Sequence, residues 1–136
     1  MASFNFTGLD ELISQLSAIS DNVDDACMAA SEAGAAVALE AIKESVPVRT
    51  GALRDHIKIA DKGYSATDGH WCDIYPTGMK PGNGNPDARR YATVGFVLEY
   101  GRSNMRARPW MRPAVEREEE RIHEAMEREL MARLGL

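Results

Sequence analysis

Val46-Pro47-Val48-Arg49-Thr50-Gly51-Ala52-Leu53-Arg54 divides this chain into two kinds of sequence. Upstream, small apolar residues recur at helical spacing. Pro47 has no N–H to donate and collides with the preceding turn, so a helix that reaches Val46 has to stop there. Thr50-Gly51 supplies a polar turn residue and one free to take positive φ. From Ala52 the period becomes two: Leu53, Asp55, Ile57 and Ile59 share one face, with Arg54, His56 and Lys58 on the other, which predicts a strand over 52–60. Locally this is a helix-to-strand connection. Arg49 and Arg54, flanking the turn, gain meaning only from a partner.

The upstream part predicts two helices. Thr7-Gly8-Leu9-Asp10 has a capping-box-like spacing, and Leu9, Leu12, Ile13, Leu16 and Ile19 follow at helical intervals. Ser20-Asp21-Asn22 reads as a stop and a new start, with a long second helix from about Asp21 to Val46. Its face is small: Ala26, Ala29, Ala30, Ala33, Gly34, Ala38 and Ala41, with Val23, Val37 and Ile42 as larger knobs. Glycine at 34 costs about 1 kcal/mol against alanine in a helix interior. Something therefore packs closely on the middle of this helix, either the domain's own sheet or a neighbouring subunit.

Downstream, alternation around Trp71, Asp73 and Tyr75 predicts a short strand over 70–76, and Tyr91 to Tyr100 reads as another. Between them, residues 76–90 hold glycines, prolines and asparagines without a period, as expected of a flexible loop. A basic connector, Arg102 to Arg108, leads to Pro109-Trp110-Met111-Arg112-Pro113, where Pro113 suits a first helical turn. Val115, Ile122, Met126 and Leu130 stripe the closing helix. The expected fold is α+β: two N-terminal helices, one of them long, a small antiparallel sheet of three or four strands, and a C-terminal helix.

All 136 residues fit one domain. Cys27 and Cys72 fall in different elements and form no CxxC pair, which favours free thiols in a reduced compartment. No secretion signal or membrane-spanning run is expected. Charge is segmented. Residues 1–46 carry eight acids and one base, residues 47–114 six acids and eleven bases, and residues 115–136 seven acids and four bases. A basic middle between acidic ends suits an acidic neighbour, another subunit or nucleic acid, although acidic helices and arginine-bearing loops would give the same pattern.

No catalytic constellation emerges, and the protein is expected not to be an enzyme. His56, His70 and His123 lack partners at metal-ligand spacing, so no metal and no cofactor are expected. In His70-Trp71-Cys72-Asp73 a strand would send Asp73 to the face opposite His70 and Cys72. The glycines at 78, 82 and 84 lack the Lys and Ser/Thr of a phosphate loop. Glu99 ends an apolar run and precedes Tyr100-Gly101; an ion pair with Arg49, Arg54 or Arg108 would account for it, and so would an exposed strand end.

Three segments together resemble one family. Val46 to Arg54, then Val97-Leu98-Glu99-Tyr100-Gly101, then Ala107-Arg108-Pro109-Trp110-Met111-Arg112-Pro113-Ala114 resemble the tail-completion, or head–tail joining, neck proteins of lambdoid-type long-tailed bacteriophages and prophages. The order is kept over about residues 8–130. Arg102, His56 and Trp110 stand where that family often has a small hydroxyl residue, serine and phenylalanine. The resemblance implies a structural virion protein that assembles as a homo-oligomeric ring, a hexamer, at the head–tail junction. Its neighbours would be neck and tail-terminator proteins, with DNA passing through the channel unread and no membrane involved. Before assembly it would reside in the host cytoplasm. Arg49, Thr50, Gly51, Arg54, Glu99, Gly101, Arg108, Pro109 and Trp110 are the implied structural and interface residues. Another virion ring such as a tail terminator, or a nucleic-acid-binding module using the basic middle, are the alternatives.

Overall fold

The structure is a computed structural model and describes residues 9–136. Its frame is α1 (Leu9–Ser45), a single helix of 37 residues, about 55 Å long at the usual rise. The expected break at Ser20-Asp21-Asn22 does not occur. Asn22 Nδ2 donates to the Ala18 carbonyl one turn back at 3.0 Å, and the backbone stays helical. Thr7 and Gly8 of the expected cap lie outside the described residues. Ala26, Ala30, Gly34, Ala35, Ala38, Ala41, Ile42 and Val46 are buried along one stripe. Val46 N donates to Ile42 O at 3.0 Å, and Pro47 ends the helix as its chemistry requires.

The turn at 50–51 does not lead straight into a strand. Gly51 takes φ 82° and opens a single helical turn, α2 (Ala52–Asp55). Asp55 N closes that turn on Gly51 O at 3.0 Å. Extended backbone begins only at β1 (Ile57–Ser65), which pairs antiparallel with β2 (Gly69–Pro76). A bulge between Ile59 and Asp61 breaks the alternation. The hairpin lies along α1, where Lys62 hydrogen-bonds Glu32 and His70 Nε2 stands 3.7 Å from the Asp24 carboxylate.

Beyond Pro76 the chain is stitched back on itself. Thr77 N donates to His56 O at 2.8 Å, Lys80 N to Arg89 O at 2.8 Å, and Asn85 caps the single turn α3 (Pro86–Arg89). The expected strand over 91–100 is instead a helix, α4 (Tyr91–Tyr100), so among the described residues the sheet has two strands rather than three or four. Two helices close the chain, α5 (Met111–Arg117) and α6 (Glu119–Leu134), separated at Glu118. α6 packs along α1, with Ile122 and Met126 over Gly34. The α+β class is as expected. The core gathers Ala41, Ile42, Val46, Ile57, Trp110 and Ala114 where α1, the hairpin and α5 converge.

Candidate functional site

Helix α4 has two working sides, and the residues singled out in the sequence divide between them. Tyr91, Gly95 and Glu99 follow at intervals of four. Tyr91 stacks on His56 with ring centroids 4.1 Å apart. At Gly95 a Cβ would stand 3.1 Å from both Trp110 Cζ2 and Pro76 Cγ, so a side chain there would press the indole or the proline ring back by a few tenths of an ångström. Trp110 is 2% exposed, and its Nε1–H donates to the Gly95 carbonyl at 3.1 Å.

Neither reading left open for Glu99, an ion pair with Arg49, Arg54 or Arg108 or an exposed strand end, describes it. Its partners are backbone N–H groups at the start of α5. Trp110 N and Met111 N donate to Oε2 at 2.7 and 2.9 Å, and Arg112 N donates to Oε1 at 3.1 Å. Trp110, the N-cap, offers no side-chain cap of its own, so Glu99 caps α5 from eleven residues upstream. Burial alone would push this carboxyl up. The N–H donors of Met111, Trp110 and Arg112, helped by the Arg112 charge, outweigh it and hold Glu99 below its ordinary value. Gly101, at φ 74°, turns the chain between the two helices; a Cβ there would meet Ala107 N at 2.7 Å and Met105 O at 2.8 Å. Arg108 N then donates to Leu98 O at 2.7 Å, and exposed Pro109 fixes the approach to Trp110.

The other side of α4 is open. Tyr91, Val94 and Leu98, with Val48 and Leu53, floor a groove of about 730 Å³ rimmed by Arg49, Arg54, Lys80 and Arg108. Among the described residues no acid lines it. Arg54 Nε lies 3.6 Å from Asp55, whereas Arg49, Lys80 and Arg108 have no ion-pair partner among the described residues. The connecting loop is shaped by Thr50, whose Oγ1 accepts the Ala52 N–H at 3.3 Å, and by Gly51, whose αL conformation sets the Arg54 side chain against it. Such a groove attracts carboxylates or phosphates while its floor seeks apolar atoms.

Lys80 and Gly95 were not singled out by sequence. Lys80 sits in the breaker-rich segment, which is held by the bonds from Lys80 N to Arg89 O and from Tyr91 N to Gly78 O. A glycine inside an apolar run is a signal of close approach, and it identified Gly95 only in principle.

No group of three or more His, Cys, Asp or Glu able to hold a metal ion occurs among the described residues. Both cysteines are free thiols. Burial, reinforced by Glu32, pushes the Cys72 thiol up against the opposing pull of Lys62, so it stays protonated at neutral pH.

The sequence matches the family described as "Bacteriophage HK97-gp10, putative tail-component" over residues 10–91, more than half of the chain. It belongs to that HK97-gp10-like family. No curated protein and no solved structure matches it. The matched span carries α1, the Val46–Arg54 turn, the hairpin and the first residue of α4. In this member of the HK97-gp10-like family three of the four rim cations, Arg49, Arg54 and Lys80, lie within that span, while Arg108, Glu99 and Trp110 lie beyond it. Among the described residues no helix is long and apolar enough to cross a membrane.

Proposed function

We propose that this phage tail component is a ring-forming subunit of the head–tail junction that joins or completes the tail, and that it works by contact rather than by catalysis. The observation that carries the reading is the groove beside α4. Arg49, Lys80 and Arg108 stand around an apolar floor without carboxylate partners among the described residues, an arrangement suited to a partner that brings both acids and apolar side chains. Its neighbours in the particle would be further neck proteins and a tail terminator, with DNA passing through the ring.

The same cations could serve a nucleic-acid-binding module. An apolar floor contributes little to phosphate binding, so the protein partner is favoured. A phage lacking this gene should yield filled heads and separate tails but few infectious particles. Normal joined virions from such a deletion would overturn the reading. Tight binding of duplex DNA by the isolated protein, falling steeply with salt, would put the nucleic-acid reading in its place.

A further inference from the structure

We infer that the groove beside α4 receives the N-terminal stretch of α1 from a second copy of this chain; this rests on the ring-subunit reading and gives it a contact. The inference joins two surfaces that a single subunit leaves unsatisfied. One is the groove with its four cations and apolar floor. The other is the part of α1 that runs past its own partners. Residues 14–19 of α1 are all exposed, including Leu16 at 58% and Ile19 at 41%. From Leu9 to Asp25 the sequence has five acids and no base. Helical stability in proteins comes largely from packing an amphipathic face, and this exposed end of α1 gains that from a partner.

The two surfaces complement each other in charge and in apolar content, and they cannot meet within one subunit. The groove is built by the loop that leaves the C-terminal end of α1, while the acidic stretch forms the opposite end of the same helix. Ile19 and Val46 are separated by about 40 Å of helix. A patch that fits a different patch on an identical molecule makes a head-to-tail contact, and repetition closes a ring when the rotation allows. Apolar contact supplies affinity here. The charges supply register and steering, and being exposed they leave the contact sensitive to salt.

Sedimentation of two charge-reversed chains, alone and mixed, tests this. The chains are Arg49→Glu with Arg108→Glu, and Glu11→Lys with Asp25→Lys. All four positions are exposed, so both chains should keep the parent's circular dichroism. The parent should self-associate weakly at high concentration in low salt. Each reversed chain alone should lose about tenfold or more in association constant. An equimolar mixture should regain most of it as pairs, because the unaltered groove of the helix-reversed chain still receives the unaltered helix of the groove-reversed chain.

A parent that stays monomeric up to its solubility limit in low salt would overturn the inference. So would a groove-reversed chain that associates like the parent, or a helix reversal without effect, which would put another protein or duplex DNA in the groove. Failure of the head–tail reading has a separate signature: a gene deletion that still yields joined virions, whatever the mixing result.

Discussion

On one side of α4, Gly95 and Glu99 face Trp110 and the first turn of α5, and polar groups there are paired: the indole N–H donates to the Gly95 carbonyl, and three backbone N–H groups donate to the Glu99 carboxylate. On the other side, Val94 and Leu98 floor a groove whose rim keeps Arg49, Lys80 and Arg108 without carboxylate partners among the described residues. Both sides belong to one ten-residue helix, so the difference is not one of local propensity. A partly buried carboxylate persists only where donors meet it. Exposed guanidinium groups persist because water serves them at little cost until a partner arrives. Conserving the fold therefore depends on the first side, and making contacts falls to the second.

The largest expected effect that would test this division is at Trp110. Trp110→Ala should cost about 3–5 kcal/mol, read as a melting temperature lower by about 10 °C or more. A melt close to the parent's would show that the indole does not hold the α4–α5 junction. Glu99→Gln comes next, at about 2–3 kcal/mol near neutral pH, since three charge-assisted bonds are weakened together. Its pH dependence has a definite sign. The Glu99 carboxyl is held low in the folded protein, so its contribution is complete above the ordinary carboxylate value of about 4.3 and is lost as pH falls through the lower folded value. The gap in urea midpoint between parent and Glu99→Gln should narrow between about pH 7 and pH 3. A gap independent of pH would mean that the clamp works by shape alone.

The smallest expected effect on stability is at Arg108. Arg108→Ala should change the unfolding free energy by no more than about 0.5 kcal/mol, while weakening self-association measured by sedimentation. Loss of stability comparable to Glu99→Gln would erase the distinction between the two sides.

Much of the frame is legible in the sequence because its signals are long. The small-residue stripe of α1, the stop at Pro47 and the positive φ of Gly51 follow from spacing and backbone sterics. The α4 segment misleads for a definite reason. Tyr91, Gly95 and Glu99 share a face at a period of two and also at intervals of four, and the residues between them are apolar on both sides. Periodicity alone cannot separate strand from helix there, and Thr93, Val94 and Val97 tilt the reading toward a strand. Helix formation is favoured by contacts with Pro76, Trp110 and α2, which lie outside the segment. The two readings open for Glu99, an arginine ion pair or an exposed strand end, fail similarly: main-chain N–H groups at a helix start are anion partners with no side-chain signature. Strand 52–60 begins late because Gly51 O accepts the Asp55 N–H, a bond that alternation does not encode.

Gly34 has a mechanical consequence for the α1–α6 pair. A Cβ at that position would stand 2.5 Å from Met126 Cγ and 3.2 Å from Ile122 Cγ2, so Met126 occupies a notch one residue wide. Sliding α6 along α1 by one turn, about 5.4 Å, would bring Met126 against Ala30 or Ala38, whose methyl groups fill the space that Gly34 leaves empty. The notch acts as a detent.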